Sequence, residues 1–335
     1  MNKSKILNKQ STFIFIFSVI SLILVLFLFF FDSSSFALNI PSGLNANKIW
    51  LIRSQIVFKI IISASAIGLG NYLIQLFTKN QFSDVSIIGI NTFQQLAISL
   101  FILFATNFFL NYEQSYIFSF IYTGIAIFSS IIFYFVSLKT NLTSKSILIY
   151  GIFLNVIVTA ISYFLLTSNA INQDIIKIRF NYYQTKVFGG IKLSNDLSNI
   201  YVSIIIFSIC LIFSFYLRLK ILAQCSLLSK TTTLGFNNKK LSFFLILLVS
   251  ILASVVFSLI GIIGFIGASV SFVANKMFSY FKYNIIGSML IAIILLLLSQ
   301  YIQISISHFA SSISLTTIAG FVGCLIFIVF LFWKK

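Results

Sequence analysis

Residues that do chemistry are scarce in this sequence. Among 335 residues there are one histidine, His308, five acids and three cysteines. A Ser-His-Asp triad or a two-histidine-carboxylate metal site needs several such groups at once, so no enzymatic set is expected. Cys210 and Cys324 fall in apolar stretches and Cys225 in a polar one, without the paired spacing of a disulfide framework or a zinc site. Lys230-Thr231-Thr232 matches the end of a phosphate-binding loop, yet no glycines precede it to bring backbone N–H groups to a phosphate. The expectation is a protein with no catalytic residues, no cofactor and no metal.

The remaining polar groups of interest sit inside apolar runs. Asn71, Gln75, Asn155 and Gln300 are amides whose burial in hydrocarbon is costly unless paired. Each either lines a pathway or hydrogen-bonds a neighbouring helix. Small residues cluster near them and let helices approach closely: Gly68 and Gly70 beside Ser63 to Ala66, then Gly261, Gly264 and Gly267, then Gly320 and Gly323.

These residues must be positioned by membrane-spanning elements. Hydrophobic residues make up 59% of the chain and charged ones 8%, with a mean hydropathy of +1.09, far from a soluble domain. Ten apolar runs of about the 20 residues needed to span hydrocarbon can be traced. They are Phe13–Phe31, Ile56–Phe77, Val85–Phe109, Tyr116–Leu138, Ile147–Thr167, Ile200–Leu217, Leu241–Ile260, Ile262–Met277, Ile285–Ile304 and Leu315–Trp333. In lipid an open sheet would leave backbone groups unpaired, so every run is read as helix. The fold class is all-α: a polytopic membrane protein of about ten transmembrane helices, forming one membrane domain over 1–335. The first run, about 19 residues long, exceeds a signal peptide's apolar region and is expected to be retained as helix 1, about 13–31.

Lys and Arg number 22 against five Asp and Glu, a net charge of +17. The apolar content argues against nucleic acid as the partner, and the charge reads instead as topology. With the N-terminus inside, fifteen bases fall on the inner side: Lys3, Lys5, Lys9, Lys79, Lys139, Lys145, Arg218, Lys220, Lys230, Lys239, Lys240, Lys276, Lys282, Lys334 and Lys335. Six fall outside (Lys48, Arg53, Lys177, Arg179, Lys186, Lys192), and Lys59 lies within the second run, from which it is expected to snorkel outward. Of the acids only Asp84 is assigned inside; Asp32, Glu113, Asp174 and Asp196 are outside. A multi-pass protein of the cell membrane with both termini cytoplasmic is expected. The outer segment Ser168–Asn199 is long enough to meet a partner or line an entrance. The inner segment 218–240 contains an amphipathic stretch, Leu222–Leu234, that fits either an interfacial helix or a contact for a partner. No run contains Asp or Glu, which counts against an ion-coupled carrier.

Four blocks in order then carry a resemblance. Arg53-Ser54-Gln55-Ile56 and Gln75-Leu76-Phe77-Thr78-Lys79-Asn80-Gln81-Phe82-Ser83-Asp84-Val85-Ser86-Ile87-Ile88-Gly89 are similar to R-x-P-R and Q-x-x-x-R-N-P-L-A-x-P-x-x-L-G. Gly261-Ile262-Ile263-Gly264-Phe265-Ile266-Gly267-Ala268-Ser269-Val270-Ser271-Phe272-Val273-Ala274-Asn275 is similar to G-P-I-G-F-V-G-L-V-V-P-H-L-A-R. Ser229 to Phe236 is similar to E-x-A-x-x-L-G-V, and Ser314 to Phe327 to P-V-G-x-x-T-A-L-x-G-x-P-x-F. From Arg53 to Lys335, the core of the chain, the sequence resembles the permease of FecCD-type ABC importers. Prolines of the pattern are replaced by Gln55, Gln81, Val85, Ile262, Ser271, Ser314 and Leu325, and its charged residues by Ile56, Phe272 and Asn275.

The resemblance implies an ABC type II importer permease fold and import of an iron chelate of siderophore or haem type, with cobalamin also transported in the family. It implies a second permease subunit, two cytoplasmic ATPase subunits that do the hydrolysis, and an extracytoplasmic substrate-binding protein. On this basis Asn71, Gln75, Gly261, Gly264 and Gly267 are expected at the translocation path. Ser226, Leu227, Leu228, Lys230, Thr231, Leu234 and Gly235 are expected to form the coupling element within about 218–240. Lys48, Arg53 and Lys59 are expected to dock the binding protein. Two alternatives stay open: a carrier or channel without an ATPase, and a transport-inactive partner of a better preserved permease.

Overall fold

The structure, a computed structural model, describes residues 3–32, 37–38, 40–41, 46–86, 89–104, 116–139, 144–167, 173–191, 197–221, 238–309 and 313–332. Apart from a short antiparallel bridge of Phe31–Asp32 (β1) with Ala37–Leu38 (β2), the described elements are helices: α1 Lys3–Phe30, α2 Ala46–Thr78, α3 Thr92–Phe104, α4 Tyr116–Lys139, α5 Ser144–Thr167, α6 Gln173–Phe188, α7 Ser198–Tyr216, α8 Asn238–Leu259, α9 Ile266–Met277, α10 Phe281–Phe309 and α11 Leu315–Phe332.

Each of the ten apolar runs corresponds to one of these helices. Seven are long and apolar enough to cross a membrane, α3 and part of α4 form shorter apolar helices, and α9 is 12 residues long. The tenfold count is therefore approximate. The added helix is α6, whose mixed composition gave no apolar run, within the outer segment.

At the centre stands α2. Its 33 residues extend about 50 Å at 1.5 Å per residue, longer than the ~30 Å hydrocarbon core, so it projects beyond it or tilts. From Ile62 to Gln75 every residue is buried, the signature of a helix surrounded on all sides. Its small residues explain how: Ser63, Ala64, Ser65, Ala66, Gly68 and Gly70 leave room for α8, α9 and α10 to pack against its backbone. One core cluster joins α1, α2 and α7 to α11, and a second, containing Ile98, Tyr122, Leu166, Tyr183 and Phe257, joins α3, α4, α5, α6 and α8.

Two helices begin later than the apolar pattern predicts. The third run starts at Val85 but α3 starts at Thr92, and the eighth starts at Ile262 but α9 starts at Ile266. Hydropathy cannot register these starts, because the non-helical residues Val85, Ile90, Ile262 and Ile263 are themselves buried in the protein. Irregular backbone at membrane depth is tolerated when protein, not lipid, surrounds it.

Candidate functional site

Two irregular stretches, residues 79–86 with 89–91 and residues 260–265, meet beside α2, where the two long sequence blocks interlock. From α2, Gln75 donates through Nε2 to the carbonyl oxygens of Gln81 (2.8 Å) and Ala268 (3.2 Å), and its Oε1 accepts from Asn275 Nδ2 (3.2 Å). One turn earlier, Asn71 donates to Ile67 O (3.1 Å) and accepts the Val85 N–H (3.0 Å). Both amides are buried, and their partners lie within the chain, which satisfies them where water is excluded.

Asp84 completes the knot. The sequence assigns it to a polar inner loop, but the structure buries it, with one carboxylate oxygen accepting the Ala268 N–H (2.9 Å) and the other accepting the Ser86 N–H (2.8 Å) and hydroxyl (2.7 Å). Ala268 lies in the first turn of α9, whose free N–H groups and dipole favour an anion. A carboxylate from one block thus caps the helix of the other. Beside it is a cavity of ≈ 20 Å³ lined by Asn71, Asp84, Ser86 and Asn91 together with α8 side chains, about the space of one water.

The glycine cluster makes the close approach possible. A Cβ on Gly267 would overlap the Asn71 amide, and Gly261, at φ +104°, faces the Val187 carbonyl, which accepts the Ile262 N–H (3.0 Å). The C-terminal end of α6 thereby anchors the α8–α9 break, and Thr316 at the start of α11 donates to Phe188 O. Gly264 is half-buried. Next to it Phe265 has a left-handed backbone (φ 65°) and is 48% exposed. An exposed phenylalanine in that conformation stores strain, commonly a sign of a functional constraint. Phe265→Gly is expected to raise thermal stability by up to about 1 kcal/mol while lowering transport, as measured by detergent unfolding and uptake side by side.

The three proposed docking cations differ in placement. Lys48 is exposed. Arg53 is half-buried, donating to Phe29 O (3.3 Å) in the last turn of α1 and lying over Trp50, so it also ties α1 to α2. Lys59 is 1% exposed; it is enclosed by the helices around α2 and does not reach outward as expected. Residues 226–235 lie outside the described residues. Asn155 donates to Ser86 O (3.1 Å), adding α5 to the knot. A polar cleft of about 510 Å³ lies between the end of α6 and the α10–α11 connection, lined by Gln184, Thr185, Gln303 and Ser314.

Asp84 and Phe265 are the residues that sequence reasoning missed as site members. Asp84 carried a signal, as an acid next to Val85 at the start of an apolar run; Phe265 carried none, since its backbone angle is invisible in composition.

The family model of the FecCD transport family matches residues 14–333. Among solved structures the chain is similar to the inward-facing conformation of a metal-chelate type ABC transporter, with a TM-score of 0.77 at 15% identity over 97% of this chain and 100% of that one. It is also matched to PsaBC from Streptococcus pneumoniae in complex with Fab, with a TM-score of 0.42 at 13% identity over 84% of this chain and 92% of that one, a likeness too loose to carry weight. No curated protein matches by sequence. At 15% identity the structural likeness establishes the fold, and the family match spans nearly the whole chain. The chain belongs to the FecCD transport family.

Proposed function

We propose that the chain is the permease subunit of an ATP-binding cassette importer that moves an iron chelate, of siderophore or haem type, across the cell membrane. The family match over residues 14–333 carries this reading. It is supported by the fold shared with a metal-chelate type transporter and by Asp84, beside the helices' meeting point, being occupied by three hydrogen bonds. In this reading one membrane domain pairs with a second permease subunit, with two ATPase subunits below and a binding protein above, both termini being cytoplasmic. In the same reading Gly261, Gly264 and Gly267 lie at the translocation path together with Phe265, and Asn71 and Gln75 belong to its wall. The polar cleft at the end of α6 lies at the entrance, and Lys48 and Arg53 give the outer surface the positive charge that meets an acidic binding protein, to which the enclosed Lys59 does not add.

Uptake of labelled ferric siderophore and of haem, in a strain lacking this gene, tests the proposal. Restored uptake that disappears when the partner ATPase is inactivated is expected. Uptake that survives ATPase inactivation would point to a carrier instead.

Residues 226–235 are proposed to transmit ATPase closure to the helices, with Ser226, Leu227, Leu228, Lys230, Thr231, Leu234 and Gly235 at the contact. Placing a charge on an apolar contact costs several kcal/mol when no partner is supplied. Leu228→Glu is therefore expected to lower ATPase co-purification at least tenfold and uptake with it. Normal values of both would overturn the coupling assignment.

A further inference from the structure

A groove of about 570 Å³ runs between α1 and α11, floored by α9 and α10. Its volume falls within the ~300–1,000 Å³ typical of small-ligand sites, and its walls, including Phe13, Phe17, Met277, Ile294 and Phe330, are almost wholly apolar. The groove exists because α1 packs chiefly along α10 and leaves a gap towards α11.

Its mouth is basic. Lys276 lines the groove, donates to Phe330 O (2.5 Å) at the end of α11 and lies over the Phe272 ring. Exposed Lys9 sits 5.9 Å from the ring centre of Phe13, a wall residue. On the same face of α1, one turn before Phe13, Gln10 is 5% exposed; its Nε2 donates to Ser279, but its Oε1 is buried without a donor.

We propose that this groove binds one anionic phospholipid of the cytoplasmic leaflet, with an acyl chain in the apolar channel and the phosphate between Lys9 and Lys276. Charge complementarity selects this occupant over a second copy of the chain. Of the five acids in the sequence, the one assigned to the cytoplasmic side is Asp84, which is buried and hydrogen-bonded. A second copy therefore brings no accessible acidic side chain to two ammonium groups, whereas an anionic lipid brings a phosphate together with the apolar chain that fills the groove. The proposal rests on the cytoplasmic N-terminus of the function proposed above, but its readout does not involve transport, so its failure would leave the importer reading standing.

The test is lipid retention by the purified full chain, exchanged into phosphatidylcholine vesicles with or without phosphatidylglycerol, extracted gently and measured by native mass spectrometry. Phosphatidylglycerol should be retained in preference to phosphatidylcholine. Lys9→Gln, which alters an exposed side chain, should weaken that preference about fivefold, the size expected of one basic residue at an anionic membrane surface. Lys276→Gln keeps a donor for Phe330 O and should do the same. Ile294→Trp, which fills the groove, should abolish retention of either lipid. Equal retention of both lipids by the wild type, or an unchanged preference in Lys9→Gln, would overturn the assignment. So would a cross-link between two copies formed through Phe17→Cys, since the groove would then hold a partner helix.

Discussion

Gly68→Ala is expected to destabilise the protein by about 3 kcal/mol, at the upper end of what overpacking ordinarily costs. The reason is local. A Cβ at position 68 would lie 2.6 Å from the carbonyl oxygen of Ser288, 2.7 Å from its carbonyl carbon and 2.8 Å from Met289 Cα. These are backbone atoms of α10, which cannot rotate away as a side chain does, so α2 and α10 must separate along their whole contact. That contact is one of the two that hold the central helix most extensively, and the loss would spread to the Tyr72–Phe281 ring pair in the same interface. Gly70→Ala supplies the control. Its added Cβ would meet only the Leu252 side chain, at 3.6 Å, an ordinary contact, so it should change stability by less than about 0.5 kcal/mol. Thermal unfolding of the two variants in one detergent separates the cases. Equal effects would mean that the close α2–α10 approach does not set the requirement for glycine at position 68.

The architecture was legible because each run of apolar residues must become a helix in lipid, and ten runs became ten of the helices. Gln75 and Asn71 were legible as residues needing partners, since their burial forbids anything else; which partners Gln75 takes was not, because Ala268 and Asn275 lie 193 and 200 positions away. Helix α6 was hidden for the opposite reason. Its tyrosines, glutamines and lysines carry no apolar stripe, and it is held by its Val187 and Phe188 carbonyls at the α8–α9 break and at α11, and by Tyr183 in the second core cluster. Lys59 shows where a general tendency fails. Lysines near the ends of spans snorkel, but α2 begins at Ala46, so Lys59 lies more than three turns inside the helix, just before the fully buried stretch 62–75.

The same long-range geometry makes Asp84→Leu the most damaging single change at the candidate site. The substitution removes the acceptor for the Ala268 N–H, the Ser86 N–H and the Ser86 hydroxyl together. The buried Ala268 N–H left unpaired costs about 1–3 kcal/mol, the half-buried Ser86 donors cost less, and the first turn of α9 also loses the anion opposite its dipole. A total of roughly 3 kcal/mol or more is expected, with loss of the folded protein from detergent extracts. Asp84→Asn separates charge from hydrogen bonding. Its single amide oxygen can still accept from Ala268 or from Ser86 but cannot serve both sides, so an intermediate cost of about 1–2 kcal/mol is expected. Because this variant should fold, its uptake reports on the knot as a working part of the transporter. If α9 must stay tied to residues 79–86 while the helices around it move, uptake by Asp84→Asn should fall more than its stability does, and the loss should persist at temperatures where the variant is fully folded. Uptake that simply tracks the folded fraction would reduce Asp84 to a packing element and leave the movable part of the permease to be sought at Phe265.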